Sequence, residues 1–342
     1  VLDRARELVV PVTAVVVRMI DFRYHLISIV AVFLALGIGI LMGSVVLDQS
    51  LVRHLQTQLD GIEQTNEDLR GANEDLRDQV EVAENFALAA RALLLPAALE
   101  GRDVVLVTFA GTDASVLDAV RAGIDEAGGE VAGTIIATEK FALPRDPERD
   151  QLSLIVNAVT STPEGLLLQT GSILGERASA AAAADGGEGV AGVDDVVRTQ
   201  PPAERLDELL AELSDAGFIE IDPGRDDVVV PAGAGFIVAG GSNSRPSFGV
   251  ADFTLSLSTA LAGASVAAVV AESSSSVWGM TEIIRADDEA QREVTTVDQA
   301  ESTSGTIATV LAYEQAERGC TGQHYGVTDG AAGIIPRPAD DC

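Results

Sequence analysis

Residues Leu26–Leu47 read LISIVAVFLALGIGILMGSVVL. The run carries no charge over about 22 residues, and at roughly 1.5 Å rise per residue a helix of that length crosses a hydrocarbon layer of about 30 Å. It is longer than the apolar core of a cleaved signal peptide. No small-x-small cleavage site precedes the acidic helix that follows, and no cysteine lies close enough behind it for a lipid anchor. Residues 22–47 are therefore expected to form an uncleaved transmembrane signal-anchor. Arg23 and His25 precede the run, partly offset by Asp21, and Asp48 follows it. The positive-inside rule then puts the N-terminus in the cytoplasm and the remainder of this single-pass chain outside the cell membrane. Upstream, the apolar run Leu8–Val17 is interrupted by Pro11 and is too short to span. Residues 1–18 read as an extension from an upstream start, with Met19 as the cellular start.

Within the apolar helix Ala31, Ala35, Gly39 and Gly43 recur every fourth residue. They make a small-residue stripe along which two backbones can approach closely. A heptad pattern follows directly. Val52, Leu59, Asn66, Asn73, Val80 and Ala87 take position a; Leu55, Ile62, Leu69, Leu76, Ala83 and Ala90 take position d. The phrase NEDLR occurs at Asn66–Arg70 and again one heptad later at Asn73–Arg77. Apolar residues at a period of about 3.5 specify a left-handed coiled coil, and asparagine at position a fixes register in parallel two-stranded coils. Residues 48–95 are expected to be a parallel homodimeric coiled coil that continues the membrane helix. Its dimerisation residues are Ala31, Ala35, Gly39, Gly43, Leu59, Asn66, Leu69, Asn73 and Leu76. A lone helix folded against its own domain is the alternative.

Pro96 ends that helix, and residues 101–319 read as an α/β domain. Val104–Phe109 and Val131–Ala137 are unbroken apolar strands around a helix from Asp113 to Ala127, which makes a βαβ unit with a sheet buried on both faces. Helices are expected near Leu152–Val159 and Glu164–Arg177, then a loop over Ala178–Gly192, then a helix over Arg205–Ala216. Strands follow at Phe218–Ile221, Val228–Val230, Phe236–Ala239, Ser265–Ala271 and Val294–Val297, with helices at Asp252–Leu261 and Thr306–Arg318. The alternation implies a three-layer Rossmann-like or flavodoxin-like fold. Residues 320–342 form a C-terminal tail.

The formal charge is −31, and Lys140 is the only lysine. Nucleic-acid binding is excluded on that balance, because phosphate neutralisation needs Lys and Arg. Salt adaptation or an arginine-rich genome accounts for the acidity, with a partner-binding or cation-collecting surface as the alternative. The glycine-rich turns Ala110–Asp113 and Gly240–Ser244 lie where open α/β sheets bind ligands. Neither is a dinucleotide or phosphate-loop fingerprint, and glycine serves turns as such. Asp298 is a polar residue at a strand end, with helix capping as its simpler role.

The three histidines, His25, His54 and His324, leave only the last for a nucleophile's base, and no nucleophile-elbow motif is present. The chain is read as a non-enzyme. Cys320 and Cys342 read first as a disulfide. With His324 they form the only soft-metal cluster on offer, and copper is the metal that such ligands favour. One membrane helix without a polar stripe cannot line a conduit. Aromatic content of 4% is too low for the girdles of an outer-membrane barrel.

Asp21–Ser44 (DFRYHLISIVAVFLALGIGILMGS), running into the asparagine-bearing coil, resembles the N-terminal signature of the actinobacterial copper transport protein MctB family. Thr295–Ala300 (TTVDQA), Gly305–Glu314 (GTIATVLAYE) and Gly322–Gly326 (GQHYG) are similar to that family's C-terminal segments. The resemblance implies a cell-envelope protein of copper homeostasis, described for the family as a pore or exporter. It maps no copper ligand onto this chain. The competing expectation is an envelope scaffold whose coil and acidic domain recruit or restrain a cell-wall enzyme or another membrane protein.

Overall fold

A computed structural model describes residues 16–184, 202–224 and 228–336. The expected extension at 1–18 therefore lies largely outside the described residues, as do Cys342 and most of the expected loop over Ala178–Gly192. The chain divides into two units, Val1–Glu81 and Val82–Cys342.

The first unit is the greater part of one helix, α1 (Val16–Leu94). Its segment Phe22–Gly43 has a mean hydropathy of 2.7 and is long and apolar enough to cross a membrane. Its large apolar side chains are exposed, Phe33 at 69% and Ile40 at 63%. The seam side chains Leu59, Ile62, Leu69 and Leu76 are exposed as well. Asn73 turns its amide back to donate to the Leu69 carbonyl at 2.9 Å.

The second unit begins with the last turns of α1. Ala90, one of the expected seam residues, packs against the core of the sheet domain. Arg91 pairs with Glu126 at 2.7 Å, and Thr303 donates to Glu84. In these turns the helix is therefore spent on its own domain, as in the lone-helix alternative. Pro96 stops the helix, and Leu95 and Leu99 plug fully into the core.

A seven-stranded sheet follows, in the order β3-β2-β1-β4-β5-β6-β7. Its strands are β1 (Asp103–Phe109), β2 (Glu130–Ala137), β3 (Ile219–Pro223), β4 (Gly235–Gly240), β5 (Ala268–Glu272), β6 (Thr295–Val297) and β7 (His324–Tyr325). All neighbouring pairs are parallel except β2–β3, which is antiparallel. An unbroken apolar strand buries both faces, and β1 does so. Val105, Val107 and Phe109 enter one hydrophobic cluster; Val104 and Leu106 enter the other. The first cluster is closed by α3 (Asp146–Ile155), α4 (Pro163–Ala182), α5 (Pro202–Asp215), α6 (Val250–Gly263), α7 (Met280–Ala286) and α8 (Ala290–Glu293). The second is closed by α2 (Ala114–Glu126) and α9 (Thr303–Glu317).

Close approach shapes the larger layer. A Cβ on Gly175 of α4 would lie 2.7 Å from both the Leu257 carbonyl oxygen and the Ala260 Cβ of α6. Only glycine lets these helices meet. On the opposite face the Tyr313 hydroxyl of α9 donates to the Asp103 carbonyl at 3.1 Å and accepts from the Gly235 amide at 3.0 Å, tying the starts of β1 and β4 together. Burial, with the Glu317 charge adding to it, pushes this phenol far above its ordinary range.

Several local expectations are corrected. Val228–Val230 is not a strand. Three β-branched residues carry strand propensity, but Val229 and Val230 are buried from an irregular segment. That segment runs so close to β2 that a Cβ on Gly133 would sit 2.8 Å from the Val229 carbonyl oxygen. The helix placed at Leu152–Val159 starts earlier, because Pro147 occupies the first turn of α3, where proline's missing N–H costs nothing. Helix α4 runs on to Ala182, into the stretch read as a loop, because its alanines face the core. The tail supplies β7 at the edge of the sheet.

Candidate functional site

Because β1 is followed by β2 on one side while β4 lies on its other side, chain direction across the sheet reverses between β1 and β4. In open α/β sheets ligands bind at such a switch point, beyond the strand C-termini. The two glycine-rich turns singled out from sequence meet there. Asp113 donates its amide to the Gly241 carbonyl at 3.0 Å, and Ser242 donates its hydroxyl to the Asp113 carboxylate at 3.0 Å. Asp113 is the N-cap residue of α2 but makes no side-chain cap bond, since its carboxylate is turned to Ser242.

The mouth of this crevice is occupied by the loop after β5. Ser276 donates to Glu272 Oε1 at 2.6 Å. Thr281 donates its amide and its hydroxyl to Glu272 Oε2 at 2.8 and 2.9 Å. Glu272 is thus a buried carboxylate satisfied by neutral donors, and it clamps the loop that joins β5 to α7. Val277 donates its amide to the Ser242 carbonyl at 3.0 Å. Sequence reading missed Glu272; the signal available was an acid closing an otherwise apolar strand.

A second polar centre lies at the ends of β6 and β7. Asp298 forms a buried ion pair with Arg285 of α7 at 3.1 Å. It also accepts from the Val327 amide at 2.7 Å, the Thr328 amide at 3.2 Å and the Thr328 hydroxyl at 2.6 Å. Burial alone would raise this carboxyl. The hydrogen bonds from Thr328, Val327 and Arg285 outweigh it and hold the carboxyl below its ordinary value. A Cβ on Gly326 would collide with the Asp298 carboxylate, and Gly326 adopts φ of +132°. Asp298 therefore caps no helix: Ser302 caps α9. Asp298 instead fastens the tail to the sheet.

His324 belongs to the same network. Its Nε2 meets the Gln291 carbonyl at 3.0 Å and its Nδ1 meets the Thr296 hydroxyl at 2.9 Å. A carbonyl can only accept, so Nε2 carries the proton and Nδ1 accepts from Thr296. The Thr296 oxygen in turn accepts from Arg285 Nε at 2.9 Å. Burial pushes the imidazole below its ordinary value, and the Arg285 cation adds to this against the opposing Gln291 bond.

Of the expected metal ligands, His324 has both ring nitrogens engaged, Cys320 is disulfide-bonded, and Cys342 lies outside the described residues. Among the described residues no group of three or more His, Cys, Asp or Glu side chains is placed to hold a metal ion. The expected dimerisation residues Ala31, Ala35, Gly39, Gly43, Leu59, Asn66, Leu69, Asn73 and Leu76 all lie on α1, away from both polar centres in sequence.

The family model described as "Copper transport outer membrane protein, MctB" matches residues 19–336. The chain belongs to the MctB family. It is 28% identical over 320 residues to the copper transporter MctB of Mycobacterium tuberculosis (strain H37Rv), covering 92% of this chain and 99% of that relative. The relative of the same name in Mycobacterium bovis matches equally. The one in Mycobacterium leprae is 28% identical over 325 residues, again 92% of this chain and 99% of the relative. These relatives carry a transporter's name and not an enzyme's. The sheet described here is open, largely parallel and covered by helices, unlike the closed antiparallel sheet of a membrane barrel.

Proposed function

We propose that the chain is a membrane-anchored, homodimeric cell-envelope protein of copper homeostasis or export, without enzymatic activity. The observation that carries this reading is the family match from residue 19 to 336, together with one span-length apolar helix at Phe22–Gly43. In this reading α1 passes the membrane once from a cytoplasmic N-terminus, and its heptad stretch pairs two copies in parallel outside. The seam side chains stand exposed on a single chain, which supports the pairing. The strand order and the two hydrophobic clusters support a three-layer domain of Rossmann type beyond the coil.

Copper enters as cargo. As placed, Cys320 and His324 are committed to other bonds, so direct capture by Cys320, His324 and Cys342 would require the disulfide to be reduced and His324 to leave the Thr296–Gln291 bridge. The filled switch-point crevice favours a second reading. In it, the domain is a scaffold that recruits or regulates a wall enzyme or a membrane partner through its surface.

The test is affinity purification of the full membrane-embedded chain from copper-fed cells, with metal content and partners measured together. Copper, or a copper-handling partner, is expected to stay with the chain. A preparation holding neither, from cells whose copper content is unchanged by deletion of the protein, contradicts the copper reading. A stable wall-enzyme partner in that same preparation would establish the scaffold.

A further inference from the structure

We propose that Trp278 occupies the ligand position of the crevice between β1 and β4 as the chain's own plug, so that a planar N–H-bearing aromatic ring is accepted there only once the indole is removed. The indole enters from the loop after β5 and is 5% exposed. It stands edge-on to Phe109, the last residue of β1, with centroids 6.2 Å apart and planes at 81°. Its Nε1–H donates to the Ser244 carbonyl, in the turn after β4, at 2.8 Å. Its Cζ2 atom lies 3.9 Å from where a Cβ on Gly111, in the turn after β1, would sit. One ring thus bonds to the turn after β4 and lies beside the turn after β1, at the switch point where a diffusible ligand lies in such sheets.

The glycines of the second turn make room for the segment that carries this occupant. In dinucleotide sites, glycine lets the backbone come close to a pyrophosphate. Here a Cβ on Gly240 would lie 2.9 Å from Met280 Sδ, and one on Gly241 would lie 2.9 Å from Ser276 Cβ. The space opened by Gly241 is taken by the loop after β5 and that opened by Gly240 by the first residue of α7, and Glu272 ties that loop down. Phosphate is disfavoured by the Asp113 and Glu272 carboxylates at the two strand ends, and the chain's only lysine, Lys140, stacks over Phe218. The site suits a neutral flat ring with one N–H donor aimed at the Ser244 carbonyl. An apolar cavity left by a truncated side chain can take up a matching aromatic molecule.

The test uses the full chain in detergent, as wild type and as Trp278→Ala, melted with and without millimolar indole. The variant is expected to melt lower and to regain part of the loss saturably with indole, as ligand linkage requires. 1-Methylindole, which lacks the N–H donor, is expected to restore less, and neither compound should move the wild type. Indole that shifts both proteins alike, or neither, overturns the proposal. Should Trp278→Ala fail to fold, the less disruptive Trp278→Val is melted under the same conditions, with the same expected and overturning results.

Discussion

The apolar helix and the sheet domain treat the same kinds of residue in opposite ways. Along Phe22–Gly43 the large side chains are open to their surroundings, with Phe33 at 69%, whereas Phe236 and Phe253 in the sheet domain are 0% and 1% exposed. Burying one such side chain is worth about 1.5–3 kcal/mol. A row of them left open requires lipid or another helix, while the sheet domain closes two hydrophobic clusters of its own. The switch-point crevice carries that self-sufficiency to the place where related sheets hold ligands. The difference teaches that the first unit leaves its apolar residues to what surrounds it, whereas the second buries a core of its own.

The comparison can be broken first on the helix side. Leu69→Pro removes a backbone donor and an exposed seam residue from the middle of the heptads. If the proposed pairing holds, it is expected to convert that dimer to monomer in light scattering of the detergent-solubilised chain, while the circular-dichroism melt of the sheet domain stays in place. A variant that remains dimeric would show that the coil is not the pairing element.

On the domain side the largest effect is expected at the tail clasp. Asp298→Ala leaves the Arg285 cation buried without its partner, at a cost of about 3–5 kcal/mol. Urea titration of the full chain should show that loss, and a change within error would mean the tail is not held by this pair.

A smaller effect follows from His324. Its folded-state pKa is lowered from 6.5, so between the two values the unfolded chain binds more protons than the folded one. Stability from this residue is fully present above pH 6.5 and is lost as pH falls through the depressed folded value. Unfolding titrations stepped downward from pH 7.5 should show that decline. His324→Gln, which cannot titrate, should flatten it, and a decline of equal size in the variant would assign it elsewhere. Asp298 adds a separate decline at lower pH, since its carboxyl is lowered from 3.8 and its contribution is lost as pH falls through that depressed value.

Much of the fold was legible where the pattern was long. The helix ending before Pro96, the βαβ unit from Val104 to Ala137 and the strand Phe236–Ala239 follow from runs that tertiary context has little room to override. Short pieces were not legible. β7 has two residues, His324 and Tyr325, and exists because Arg285 and Asp298 hold the tail against β6. Val228–Val230 has a strand's composition and a loop's structure. The two glycine-rich turns were legible as turns at strand ends. Their occupant was not, because Trp278 lies far along the chain from both turns, and only the sheet order brings the three together.

The most direct measurement is cell-associated copper in a strain lacking the protein, complemented either with the full chain or with the chain from which residues 22–43 are removed. The expected result is copper accumulation on deletion, reversed by the full chain and not by the shortened one. No accumulation on deletion, or full reversal by the chain without its apolar helix, would contradict a membrane-anchored role in copper homeostasis.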